Sequence, residues 1–208
     1  MEQVIETTGA IQIKGKISFE EYLKKYSGVH AEWIGGEVIQ LMTASDRHQD
    51  LVAWLIAILR LFVEAHDLGW LRPAPFSMKM PALDRGREPD LLFVSQDRLG
   101  IVQASHLAGA ADLVIEIVSP ESIGRDRGEK FVEYEAAGVR EYWLIDPERE
   151  QAEFYQLDQA GRYHPAPIEA GRFSSQVLPN FWLEVAWLWQ TPLPKVLTIA
   201  RGLGLLTP

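Results

Sequence analysis

Hydrophobic positions along the chain follow two rhythms, which divide it into short strands and a few helices. Ser18-Phe19-Glu20-Glu21 has the pattern of a capping box, the Ser accepting from the backbone three residues on and the Glu reaching back. It predicts a short helix to about Tyr26, with Gly28 just beyond. Two β-type runs, Ala31-Glu32-Trp33-Ile34 and Glu37-Val38-Ile39-Gln40-Leu41-Met42, flank Gly35-Gly36. A Gly-Gly pair supplies the positive φ angles of a tight hairpin turn. Residues 51–63 are apolar on almost every side and predict a long helix, capped by Asp46. Such a helix is buried on both sides or lies at a subunit contact, so homo-oligomerisation is an expectation.

After Gly69 the pattern turns to strands, at residues 75–80, 89–94 and 112–118. The third is almost continuously apolar, as a central strand covered on both faces needs. A helix is expected over 126–137, opened by a capping box of Asp126 and Glu129 and stopped at Gly138. Residues 141–146, closed by Pro147, form a fourth strand. Residues 152–157 and the stretch around Tyr163 read as a hairpin, and 180–185 as a last strand or the start of a terminal helix. The expected fold is α/β, a central mixed β-sheet flanked by helices, with an N-terminal hairpin and one long early helix. The expected boundaries are a flexible lead-in over 1–16, a single domain over 17–190 and a mobile tail over 191–208.

A length of 208 residues suits one domain, and 47% hydrophobic with 24% charged residues is the balance of a soluble globule. The absence of cysteine excludes a disulfide scaffold, a Cys-ligated zinc site, an iron–sulfur cluster and a thiol nucleophile. No uncharged stretch reaches the roughly 18 residues of a membrane span. The acidic start, Met1-Glu2-Gln3-Val4-Ile5-Glu6, lacks the apolar core of a secretory signal, so a cytoplasmic protein is expected. A net charge of -9 argues against a general nucleic-acid coat, whose affinity comes from basic contacts to phosphate. It leaves room for a nucleic-acid enzyme whose carboxylates hold metal. The five histidines have no metal-ligand spacing, and there is no P-loop or G-x-G-x-x-G. Ser119-Pro120-Glu121-Ser122 lacks the flanking glycines of a nucleophile elbow.

The central strand carries the strongest chemical signal. Glu116 lies in Val114-Ile115-Glu116-Ile117-Val118 and shares a face with Val114 and Val118. A carboxylate there needs a cation, a hydrogen-bond network or a proton, because burying it unpaired costs several kcal/mol. Alone, it fits a structural Glu paired with an Arg or a backbone cluster better than a functional one. Asp90 opens the strand after Pro89, and two carboxylates at adjacent strand positions suit Mg²⁺, a hard cation that prefers oxygen ligands. Lys130 follows Glu116 by 14 residues, with Tyr134 one helical turn further on the same face. By itself Lys130 also fits a solvated lysine paired with Glu129 or Glu133. Glu32 is a candidate additional metal ligand from the early hairpin. His48 and Ser119 are candidate supporting groups, with helix capping and a backbone bond before Pro120 as their plainer readings.

These residues, read together, resemble the Uma-two family. The resemblance rests on Asp112-Leu113-Val114-Ile115-Glu116-Ile117-Val118-Ser119-Pro120-Glu121-Ser122, Arg125-Asp126, Lys130, Tyr134, Gly138-Val139 and Glu141-Tyr142-Trp143-Leu144-Ile145-Asp146-Pro147. Upstream, Pro89-Asp90, the Glu32–Val38 hairpin and His48 fit it as well, as does Leu178-Pro179-Asn180-Phe181 near the end. That family is similar to the restriction-endonuclease-like superfamily, whose signature is PD-(D/E)xK. The resemblance implies a DNA endonuclease using Mg²⁺ or Mn²⁺, with Asp90 and Glu116 as metal ligands and a lysine assisting the attacking water. The usual lysine position holds Val118, and the resemblance implies that Lys130 on the following helix takes its place. The alternative is a non-catalytic homo-oligomeric module that keeps the nuclease fold, which Val118 and the acidic charge favour.

Overall fold

The computed structural model describes residues 4–7, 10–13, 15–26, 28–41 and 45–206. The chain runs through β1 (Val4–Thr7), β2 (Ala10–Ile13), α1 (Phe19–Lys25), β3 (Ala31–Ile34), β4 (Glu37–Leu41) and α2 (Asp46–Ala65). It continues through β5 (Gly69–Pro73), β6 (Ser77–Met80), β7 (Arg85–Arg87), β8 (Leu91–Ser95), β9 (His106–Ala108) and β10 (Leu113–Ile117). A π-helical turn, Arg125–Lys130, leads into α3 (Phe131–Ala137). The remainder is β11 (Glu141–Asp146), β12 (Gln151–Leu157), β13 (Tyr163–Pro165), β14 (Ile168–Glu169), β15 (Arg172–Ser174), β16 (Trp182–Glu184) and α4 (Val196–Gly202).

A six-stranded mixed sheet of order β13-β12-β11-β10-β8-β5 forms the centre. β10 and β11 are parallel, and the other pairs are antiparallel. β10 is buried along its whole length, because both its faces are covered. Leu113, Ile115 and Ile117 pack with Leu51, Leu55 and Ile58 of α2, while Val114 and Val118 pack with Leu92, Tyr134 and Tyr142. Full burial of each such aliphatic side chain is worth about 1.5–3 kcal/mol. A second sheet, of order β1-β2-β4-β3-β7-β6-β9, contains the early hairpin. β3 and β4 pair antiparallel across Gly35 and Gly36, whose φ angles of 56° and 97° only glycine adopts readily.

Several local signals act as read. Ser18 caps α1 with both halves of the capping box, and Gly138 ends α3 in the left-handed region at φ 84°. Others need correction. Ser45, not Asp46, caps α2: its side chain accepts the His48 N–H at 3.2 Å. Asp46 is the first helical residue, where its charge complements the helix dipole. Asp126 caps nothing, since it lies inside the π turn with its side chain buried. The stretch over 1–16, expected to be a flexible lead-in, contributes β1 and β2, and β2 pairs with β4.

The segment after Thr191, expected to be a mobile tail, contains regular structure among its described residues. It forms α4, which packs on α2 and buries Ile199 and Ala200. Trp54 Nε1 donates to Pro194 O at 2.7 Å, and the Trp54 ring meets Trp187 edge-on. The apolar surface of α2 is therefore covered largely by its own chain. Among the described residues, no helix is long and apolar enough to cross a membrane.

Candidate active site

The register of the central sheet sets two carboxylates side by side. Leu113 of β10 pairs with Phe93 of β8, and Ile115 with Leu91. One step further along the same register, Glu116 stands opposite Asp90. Asp90 Oδ2 accepts the Ile117 N–H at 2.7 Å and lies 3.1 Å from His48 Nε2. His48 reaches it from the first turn of α2, so one aspartate is tied to β10 and to the long helix at once. Glu116 Oε1 accepts from Lys130 Nζ at 2.8 Å and from Tyr134 OH at 2.9 Å. Asp90 is 7% exposed, Glu116 3% and Lys130 2%.

The π turn explains how Lys130 gets there. Its hydrogen bonds run from i to i+5, which offsets side chains from their α-helical positions, and such turns are frequent at functional sites. Asp126 and Lys130 both face inward from it, with Lys130 Nζ 3.2 Å from Asp126 Oδ1. Nζ is also 3.2 Å from Glu32 Oε1, so three carboxylates surround one ammonium. The solvated pairing of Lys130 with Glu129 or Glu133 does not occur. Those glutamates are taken by Arg87, which is fully buried and also holds Glu32 Oε2 at 2.7 Å.

Asp90, Glu116, Lys130, His48 and Ser119 line one cavity of about 270 Å³, together with Asp126, Arg125 and His30. Glu32 does not line it. Its carboxylate lies between Lys130 and Arg87, and Arg125 approaches at 3.9 Å. Ser119 shapes the lining loop: its N–H donates to Ser122 Oγ at 2.9 Å, and its Oγ accepts from Ser122 N at 3.3 Å. Tyr134 is wholly buried, its ring edge-on to Tyr142, and only its hydroxyl serves Glu116. Val118 is a buried core residue on the Glu116 face, so no ammonium comes from that position.

The electrostatics follow from the excess of carboxylates. Burial raises the Glu116 carboxyl to about 8; Lys130 draws it down, but the neighbouring Asp126 and Asp90 push it up. Burial also raises Glu88, at the cavity wall, to about 8. Burial works to lower Lys130, and the surrounding carboxylates overcome it and keep the ammonium charged. For Glu32, burial acts upward but Lys130, Arg87 and Arg125 prevail, holding the carboxylate at about 2. Burial opposes charge on His48, and its bond to Asp90 more than restores it.

Two observations decide whether this donor set suits a divalent cation. Among the described residues no hydrogen bond reaches Asp90 Oδ1 or Glu116 Oε2, and both residues line the cavity. Both belong to a wall with more carboxylates than cations. Among the described residues no set of three or more His, Asp or Glu side chains converges as a metal site. Mg²⁺ commonly binds through one or two carboxylates and keeps several waters, so Asp90 and Glu116 fit it.

Three contributors were not read as site residues from sequence. Asp126 was read as a cap, although its i,i+4 spacing to Lys130 was visible. His30 lines the cavity with Nε2 buried and unpartnered, and burial lowers its pKa. Arg87 carries no local signal, because its partners come from distant parts of the chain.

The Uma2 family model, described as "Putative restriction endonuclease", matches residues 19–186. The chain belongs to the Uma2 family. The matched span runs from α1 to the turn after β16 and contains every residue placed at the cavity above. The crystal structure of "a putative nuclease belonging to DUF820" from Anabaena variabilis has a similar fold, with a TM-score of 0.67 and 19% sequence identity. The similarity covers 83% of the Uma2 chain and 97% of that one. No curated protein matches the sequence.

Proposed function

We propose that this Uma2 protein is a Mg²⁺- or Mn²⁺-dependent endonuclease that hydrolyses phosphodiester bonds in DNA. The observation that carries the reading is the convergence of Asp90, Glu116 and Lys130, from three elements, on one cavity. Asp90 and Glu116 would hold the cation through the oxygens that no protein donor uses. A divalent cation there supplies polarisation of a phosphoryl oxygen and a lowered pKa for bound water.

The chain's own residues do the rest. Ile117 N–H and His48 fix the Asp90 carboxylate through Oδ2, leaving Oδ1 without a protein donor among the described residues. Lys130 and Tyr134 fix Glu116 in the same way through Oε1. Lys130 places a permanent positive charge beside the reacting phosphate, where it stabilises charge developing on the phosphoryl oxygens. Glu32, first considered as a metal ligand, acts instead as a positioning residue for Lys130. The site is assembled within a single chain, so the reading requires no second copy.

The test is cleavage of plasmid and single-stranded DNA by the wild type, Asp90→Ala and Lys130→Ala, with Mg²⁺, with Mn²⁺ and with chelator. Metal-dependent cutting lost in both variants supports the reading. Loss in Asp90→Ala alone removes Lys130 from the chemistry. Absence of cutting by folded wild type on every substrate sinks the nuclease reading in favour of a non-catalytic module.

A further inference from the structure

The cations of the π turn and its surroundings differ in what holds them. Arg87, Arg127 and Lys130 each lie within 3.2 Å of two or more carboxylates. Arg125 does not. Its one carboxylate neighbour among the described residues is Glu32, whose Oε2 is 3.9 Å from Nε, beyond hydrogen-bond reach. Arg87 already donates to that oxygen at 2.7 Å. Among the described residues the Arg125 guanidinium forms no hydrogen bond, and its Nε is buried without a partner.

Its place ties it to the site. Arg125 opens the π turn that Lys130 closes, and it lines the same cavity as Asp90, Glu116 and Lys130. The two cations approach one carboxylate, Lys130 Nζ at 3.2 Å from Glu32 Oε1 and Arg125 Nε at 3.9 Å from Oε2. The Arg125 side chain is only 17% exposed. A largely covered guanidinium with unmet donors is costly unless an anion meets them. Its planar fork of N–H groups matches two oxygens of one phosphate at once, a geometry that an ammonium does not offer. The three N–H bonds of Lys130 are faced by three carboxylates, so Lys130 acts on a phosphate through its charge. Arg125 keeps its donors for direct contact.

We infer that Arg125 is a DNA-contact residue, its guanidinium donating to the non-bridging oxygens of a backbone phosphate at the cavity. The inference rests on the nuclease reading and adds to it a named contact with the substrate. Binding a phosphate releases counterions, so the slope of log affinity against log salt counts such contacts, at about 0.9 per phosphate on a duplex and about 0.7 on a single strand. Fluorescence anisotropy of a labelled oligonucleotide, alone and annealed to its complement, is measured in Mg²⁺ from about 50 to 200 mM salt. The protein carries Glu116→Gln, so that cleavage does not consume the probe, and Arg125→Gln or Arg125→Lys is added to it. Arg125→Gln is expected to weaken binding about tenfold and to make the slope shallower by about 0.7–0.9, whereas Arg125→Lys keeps the slope. An Arg125 that served only Glu32 would change thermal stability and leave the slope as it was. An unchanged slope in folded Arg125→Gln, or no binding of either probe by the Glu116→Gln protein, overturns the inference. Wild-type cleavage of the same probes, run in parallel, tests the nuclease reading separately. Cutting with an unchanged slope keeps the nuclease and removes Arg125 from it; a shallower slope without cutting keeps the contact and discards the nuclease.

Discussion

Lys130 Nζ lies 2.8 Å from Glu116 Oε1, although 14 residues separate the two and they belong to different elements. A side chain two positions after Glu116 on the strand would share its face, and Val118 occupies that place as part of the core. The ammonium beside Glu116 belongs to the π turn that follows the strand.

Lys130 should be structural as well as chemical. It is the cation shared by Glu116, Glu32 and Asp126, all of them buried. Removing one partner from a buried ion pair typically costs about 3–5 kcal/mol, because the charge left behind is uncompensated. Lys130→Met is expected to lose stability in that range by urea denaturation at pH 7.5. A loss below about 1 kcal/mol would mean that the three carboxylates do not depend on it.

His48 should matter through Asp90. Its Nε2 lies 3.1 Å from Asp90 Oδ2, while Asp90 keeps the Ile117 N–H in any variant. Loss of a partner that orients a metal ligand typically costs about 10–100-fold in metal affinity or activity. His48→Ala is expected to raise the Mg²⁺ concentration for half-maximal cleavage by that factor and to leave the DNA KM at saturating metal within about twofold. An unchanged metal requirement would reduce His48 to a packing residue.

Glu32 sets part of the acid stability. Its carboxylate is held at about 2 in the folded chain, against 4.5 for an ordinary glutamate. A depressed carboxylate stabilises the fold fully above its unfolded value and loses that contribution as pH falls through the folded one. The window is therefore about pH 4.5 down to 2, and the contribution is about 3 kcal/mol at 1.36 kcal/mol per unit. Thermal melts of wild type and Glu32→Gln from pH 6 to 3 should show a shallower decline in the variant, alongside a lower stability at pH 6. Parallel curves would contradict the assignment.

Asp112 provides a control at the opposite end of β10. It accepts from Ser95 N and Oγ, both at 2.8 Å, and from Arg98 at 2.6 Å. Burial works to raise it, and those donors outweigh burial and hold it below the usual aspartate range. Asp112→Asn is expected to cost about 1–3 kcal/mol of stability, the range for disturbing a charged, buried acceptor. Cleavage per folded molecule should be unchanged. A loss of cleavage in the folded variant would show that the site depends on the far end of the sheet.

What could be read in the sequence was local or periodic. The apolar run around Glu116 marked a strand buried on both faces, and its two-residue period put Glu116 beside Val118. The Ser18 box and the Gly35-Gly36 turn were equally local. The misread parts depend on partners far along the chain. α4 is only seven residues long and follows two prolines, so its helicity depends on packing against α2. The π turn has no sequence signature, and Asp126 followed by Glu129 looks like a helix start although Asp126 N–H already bonds Ser122 O. Arg87 carried no local signal, because its partners Glu32 and Glu133 lie 55 and 46 positions away.

The central claim is that Asp90 and Glu116 hold one divalent cation, and the most direct measurement is an EPR titration of the chelator-treated protein with Mn²⁺. The wild type should bind a single Mn²⁺ that Mg²⁺ displaces, and Asp90→Asn and Glu116→Gln should each weaken that binding at least tenfold while remaining folded. Mn²⁺ binding of equal strength in the wild type and both variants, or no binding by the wild type, would contradict the account.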